Sequence, residues 1–129
     1  MGESDNLTLD EILSIGKEIP SENWRESDLK SGSYSAHRKD IHISIFSKIY
    51  VITPSDFYTI ETSYSGVDHG MHELGKYYFH TEDKSVEGSG EKGDERIKIF
   101  YENIRSKAEE LAPFRRSKAL DVARRLADQ

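Results

Sequence analysis

The chain has 129 residues and a net charge of −6 at pH 7, with 35% hydrophobic and 33% charged residues. One hydrophobic core commonly occupies about 100–150 residues, so we predict a single small domain over residues 1–129. The chain contains no cysteine, which excludes disulfide bonds, cysteine-ligated metal sites and a thiol nucleophile.

Two features of the sequence bear on where the protein works. The lack of cysteine is typical of a reducing compartment. No apolar run approaches the length of a membrane span, and the N-terminal sequence MGESDNLTL lacks the charged-then-apolar order of a secretion signal. We therefore predict a soluble, cytoplasmic protein without a membrane partner.

The charge is unevenly distributed along the chain. Residues 1–112 contain 13 Lys/Arg and 22 Asp/Glu, a net charge of −9, whereas residues 113–129 contain five Lys/Arg and two Asp, a net charge of +3. An acidic body repels phosphate backbones. Nucleic-acid binding is therefore a hypothesis for the basic C-terminal segment alone.

The first predicted element is a short helix. Thr8 precedes an apolar run and Glu11 follows it by three residues, which is the spacing of a capping box. We predict a helix over Leu9–Glu18 that Pro20 ends, preceded by a frayed N-terminus over residues 1–7.

Trp24 is the only tryptophan, and it stands in a polar segment. Such a residue can serve as a binding anchor, but more often it plugs the edge of a core. We favour the core interpretation.

The stretch Ile41–Ile52, IHISIFSKIYVI, has the strongest strand pattern of the chain. Its odd-numbered positions are aliphatic except at Ser47, and successive side chains of a strand point to opposite faces. The stretch therefore predicts a strand with one buried face. Twelve residues would extend roughly 40 Å, so the strand either bends as one element or divides near Ser47–Lys48.

Three further segments predict strands beside this one. Residues 34–38 precede it across a tight turn at Lys39–Asp40, residues 57–64 follow it after a turn at Thr53–Asp56, and residues 77–80 follow a longer loop over residues 65–76. Strands joined by short turns pair antiparallel. We predict an antiparallel β-meander of about four strands.

The last part of the chain predicts a linker and two helices. Three glycines among charged and small residues indicate a flexible Gly-rich linker over residues 82–94. Apolar residues then recur at helical spacing up to Leu111, and Pro113 is expected to end that helix. A second, basic helix follows within residues 113–129. The predicted order is α-β-β-β-β-α-α, an α+β fold with helices covering one face of the sheet.

One loop carries a set of possible metal ligands. These are Asp68, His69, His72 and Glu73, with His80 downstream. Imidazoles and carboxylates bind zinc and similar divalent ions, so a metal-binding or metal-dependent hydrolytic protein using His69, His72, Glu73 and His80 is an alternative function. The spacing matches no established motif, and the second histidine of H-E-x-x-H is replaced by Lys76.

No complete catalytic constellation is visible. Ser65, Asp68 and His69 could be drawn as a triad, but Ser65 stands outside any nucleophile-elbow sequence. The Gly-rich stretch EGSGEKGD has neither phosphate-binding pattern, and its acidic residues would repel phosphate. We favour a function without catalysis and without a cofactor.

The leading hypothesis is binding of a partner protein. It depends on two features, the exposed aromatic residues of the sheet and the basic C-terminal helix. Tyrosines of the sheet can simply form stabilising cross-strand pairs, but an exposed group of them suits a protein partner. The basic segment can pack on the acidic body, form a dimer, or bind another protein or nucleic acid. We predict a regulatory or accessory protein-interaction module, with homodimerisation as an option, whose contact residues are Tyr50, Tyr58, Tyr64, Arg115, Arg116, Arg124 and Arg125.

Overall fold

The computed structural model describes residues 6–27, 32–49, 56–67, 70–84, 88 and 90–128. Two helices and six strands are arranged in this part of the chain. In order they are α1 (Leu9–Glu18), β1 (Arg25–Glu26), β2 (Ser33–Arg38), β3 (Ile41–Ile49), β4 (Asp56–Ser65), β5 (Met71–His80), β6 (Glu91–Lys92) and α2 (Arg96–Ala127), with a 3-10 turn at Ser21–Asn23.

The strands form one sheet in which their spatial order equals their order in the chain. Strands β1 to β5 pair antiparallel, whereas β6 pairs parallel to β5. The predicted α+β class and antiparallel meander are therefore confirmed, but the sheet has six strands instead of about four. The additional strands β1 and β6 lie at the two edges and have two residues each, which is too short for a periodic pattern.

The aliphatic stripe of β3 faces the core, as its alternation predicts. Ile43 and Ile45 have no solvent exposure, and Ile41 packs against the same cluster. Ile45 lies directly opposite Ile60 of β4. The strand continues through Ser47–Lys48 without a break as far as Ile49, and residues 50–52 of the predicted strand lie outside the described residues.

Both helices cover this one face of the sheet. Helix α1 begins at the predicted capping box, in which Thr8 and Glu11 each bond the backbone of the other. The helices contribute seven buried side chains to the core: Leu9, Ile12, Leu13, Ile97, Phe100, Tyr101 and Ile104. The opposite face of the sheet is polar at its centre, where Ser35, Ser44, Glu61 and Lys76 lie side by side across four strands.

The prediction of two C-terminal helices is wrong, because α2 is one helix of 32 residues that contains Pro113. Proline lacks an amide hydrogen and crowds the preceding turn, which disfavours a helix interior without forbidding it. Just beyond the proline, the Nη2 of Arg115 donates a hydrogen bond to the carbonyl oxygen of Glu22, 2.7 Å away. This contact holds the helix on the body at the position where the sequence predicts its end.

Two predicted irregular segments contain regular structure. The expected loop over residues 65–76 is shorter, since β5 begins at Met71. The expected linker over residues 82–94 contains β6, and Gly93 donates a backbone hydrogen bond to Tyr78. Gly90 has a φ of +91° and lies against the carbonyl of Lys76, where a Cβ would overlap. Glycine in this segment therefore permits close packing.

The predicted frayed N-terminus is wrong at Leu7. The backbone of Leu7 donates a hydrogen bond to Leu74 and accepts one from the Tyr77 hydroxyl, at 2.6 Å and 2.8 Å. Residues 1–5 of that segment lie outside the described residues.

Candidate functional site

The structure separates the residues of the predicted metal site. His72 and Glu73 lie near the start of β5 and His80 at its end. His80 is eight positions after His72, which corresponds to about 26 Å along an extended strand. His80 is buried, and its Nδ1 accepts a hydrogen bond from the Glu82 backbone at 3.0 Å. His72 and His80 are therefore too far apart to ligate the same metal ion.

Asp68 and His69, also in the predicted metal site, lie outside the described residues. Within the described residues, three or more His, Asp or Glu side chains nowhere lie close enough to share a metal ion. His72 instead stacks on Tyr64, with ring centroids 5.0 Å apart.

The three tyrosines that were predicted to contact a partner differ in their positions and solvent exposure. Tyr58 is only 5% exposed and packs on Tyr101 of α2 with ring centroids 5.4 Å apart. The prediction that Tyr58 lies on an open face is wrong, since helix α2 covers that face. Tyr64 is exposed at the end of β4, and Tyr50 lies outside the described residues.

The most extended exposed feature of the described chain is the second half of α2. We call residues 112–127 the C-terminal arm. The buried residues of α2 end at Ile104, and every residue of the arm except Arg115 is exposed. The segment from Arg116 to Ala127 extends about 18 Å at 1.5 Å per residue.

The arm exposes large apolar side chains on the face that points at the core earlier in the helix. Phe114, Val122 and Leu126 are 72%, 44% and 65% exposed. At about 100° per residue, they lie within an arc of about 120° that continues the line of Ile104. The core-facing side of α2 therefore extends past the body, and no described residue outside the helix covers it there.

Basic residues share this arc. Lys118 and Arg125 lie between Phe114 and Val122 around the helix, and the arm as a whole contains five Lys/Arg against one Asp. Arg116 and Arg124 lie outside the arc, on exposed faces. The exposed surface within the arc is therefore both apolar and positively charged.

Arg115 was predicted to contact a partner, but its side chain instead binds the body of the protein. Its guanidinium bonds the Glu22 carbonyl, which also accepts a hydrogen bond from Nη1 of Arg25 at 2.7 Å. Burial, and secondly the charge of Arg25, lower the pKa of Arg115. Of the four predicted contact arginines, this one packs the helix on the body.

Sequence reasoning named the basic residues of the arm but missed Phe114 and Val122. The expected helix end at Pro113 hid them, because it breaks the periodicity that joins the arm to Ile104. A count of helical spacing across the proline would have found the continuous face.

No helix among the described residues is long and apolar enough to span a membrane. Comparisons of this chain with protein-family models, with curated proteins and with solved structures found no match.

Proposed function

We propose that this protein is a non-catalytic interaction module, working as a regulatory or accessory subunit, that binds a partner protein through its C-terminal arm. The observation that carries the proposal is the continuation of the core-facing side of α2 beyond the body, with Phe114, Val122 and Leu126 uncovered. Isolated helical segments of this length are marginal in water. Amphipathic helices of this kind bind by laying their apolar side into a groove.

The charge of the arm indicates the chemistry of the partner. Lys118 and Arg125 flank the apolar residues, so a groove with an apolar floor and acidic rims is complementary to both features. The apolar pocket beside Ile99 on this protein lies next to Lys17 and Arg96, which does not complement a basic arm. This favours a different protein over a second copy as the occupant.

Two residues of the arm form a matched pair for the test. Val122 and Leu120 are 44% and 45% exposed, and they lie about 160° apart around the helix. Val122→Glu places a carboxylate within the proposed contact face, and Leu120→Glu places the same group on the opposite side. Neither side chain belongs to the core, so both variants should fold.

The partner can be captured by a photo-crosslinking amino acid at Phe114 in cells that express the protein, and then purified. The dissociation constant of the complex between the purified partner and this protein should rise at least tenfold with Val122→Glu and less than twofold with Leu120→Glu. Equal effects of the two substitutions, or crosslinks to nucleic acid alone, would refute the proposal. Sedimentation showing a dimer that Val122→Glu dissociates would also refute it in favour of self-association.

A further inference from the structure

Two histidines on the surface of the sheet lie in contact across neighbouring strands, and the sequence analysis did not consider them together. His37 of β2 and His42 of β3 lie directly opposite each other, on either side of the turn at Lys39–Asp40. Their ring centroids are 4.4 Å apart and the ring planes are tilted by 47°. The backbone register therefore holds two imidazoles side by side on one face of a hairpin.

We propose that His37 and His42 form a two-histidine chelate for a borderline divalent transition metal such as Zn²⁺, with water completing the coordination. This site is different from the predicted set around His69, His72 and Glu73, and it does not depend on the proposed function of the arm.

The spacing of the two rings suits a shared metal ion. Tetrahedral zinc with Zn–N distances of about 2.0–2.1 Å places two ligating nitrogens about 3.3 Å apart. Rings whose centroids are 4.4 Å apart bring one nitrogen of each ring to this separation by rotation of the side chains. Residues directly opposite on paired strands need no backbone change to do so.

Among the described residues, no hydrogen bond or ion pair is seen at the imidazole nitrogens of His37 and His42, whose rings contact each other. His37 is exposed and His42 half-buried.

The surroundings of His42 favour a cation. It lines a groove of about 250 Å³ together with the carboxylates of Glu61 and Glu73 and the side chains of Ser44 and Ser63. Glu61 is the diagonal neighbour of His42 on β4. The nearby Lys76 has its ammonium 3.8 Å from Glu61 and 3.2 Å from the carbonyl of Gly88. The charges of Lys76 and Glu61 therefore offset each other, and the carboxylate of Glu73 adds a further negative charge to the groove.

Zinc titration of the tag-free full chain tests the inference, with a chromophoric chelator as competitor. We expect one Zn²⁺ per chain, with a dissociation constant that rises at least tenfold in His37→Gln and in His42→Gln. His72→Gln is the matched control, because it removes an imidazole from the same sheet and from the alternative site, and binding should change less than twofold.

Nuclear magnetic resonance gives an independent readout. The imidazole signals of His37 and His42 should shift together on addition of Zn²⁺, while that of His72 should stay in place. His37 is exposed, so His37→Gln should fold even if His42→Gln does not. Unchanged binding in His37→Gln, loss of binding in His72→Gln alone, or no binding at millimolar Zn²⁺ would overturn the inference.

Discussion

Trp24 and Phe100 meet edge to face, with ring centroids 5.6 Å apart and ring planes at 88°. Trp24 comes from the segment after α1, and it has almost no exposed surface. Phe100 comes from the first half of α2 and also fills the space left by Gly16, where a Cβ would lie 2.7 Å from its Cζ. The prediction that Trp24 belongs to the core is confirmed.

This aromatic contact leads to a stability prediction. Trp24→Ala should lower the free energy of unfolding by about 3–5 kcal/mol, because it removes a large buried ring and leaves a cavity beside Phe100. Urea denaturation followed by circular dichroism measures the change. Trp24→Phe keeps an aromatic ring and should cost less. A loss as small as that of a surface substitution, about 0.5 kcal/mol, would show that the contact contributes little.

Pro113 interrupts the hydrogen bonding of a helix that continues on both sides of it. Pro113→Ala should stabilise the arm by up to about 3 kcal/mol, since it restores the amide hydrogen and removes the ring that crowds the preceding turn. Far-ultraviolet circular dichroism should show more helix, and amide exchange of residues 114–117 should become slower. Ala112→Gly is the control with the opposite sign. A loss of helix in Pro113→Ala would contradict a continuous α2.

Thr62 is buried in β4, and its Oγ1 has no hydrogen-bond partner among the described residues. A buried hydroxyl without a partner carries a desolvation cost, so Thr62→Val should raise the free energy of unfolding by about 1 kcal/mol. Thr62→Ser retains the hydroxyl and loses a buried methyl group, and it should lower that free energy by about 1 kcal/mol. Urea denaturation of the three proteins measures both changes. Destabilisation by Thr62→Val would indicate that the hydroxyl is satisfied in solution.

Tyr34 and Tyr58 predict a loss of stability at alkaline pH. Burial raises the pKa of both hydroxyls from the ordinary value of 10.0 to about 12, and the Glu26 charge for Tyr34 and the Asp56 charge for Tyr58 act in the same direction. The folded chain therefore holds these protons more tightly than the unfolded chain. Stability is retained below pH 10 and should fall as the pH rises from about 10 to about 12.

Tyr58→Phe removes one of these two groups and should make the alkaline loss of stability shallower. Tyr58 donates a hydrogen bond of 3.3 Å to Asp56 Oδ2, so a small loss at pH 7 is expected as well. Thermal unfolding across this pH range measures both effects, and the pH 7 value serves as the reference. An equally steep alkaline loss in Tyr58→Phe would show that Tyr58 is not one of the groups responsible.

Several features could be read from the sequence because they depend on neighbours in the chain. The alternation around Ile43 and Ile45 identifies a buried face because side chains of a strand alternate with a period of two. Thr8 and Glu11 identify a helix start because a capping box lies within one turn. His37 and His42 flank a predicted two-residue turn symmetrically, so their pairing was available from the sequence as well.

Other features depend on contacts between distant residues. Tyr58 is buried because α2, some forty residues later, covers its face of the sheet. Helix α2 continues past Pro113, and just beyond the proline Arg115 contacts the carbonyl of Glu22, 93 residues earlier. The strand β6 exists because its two residues pair with Tyr77 and Tyr78.

The sequence by itself determined the class of fold, the core stripe of β3 and the basic character of the C-terminal segment, because each is encoded in local period or composition. The tertiary structure alone decided which face of the sheet the helices cover, where α2 leaves the body and which tyrosines of the sheet are buried. Those outcomes depend on packing between elements that are distant in the chain, and local sequence patterns do not specify that packing.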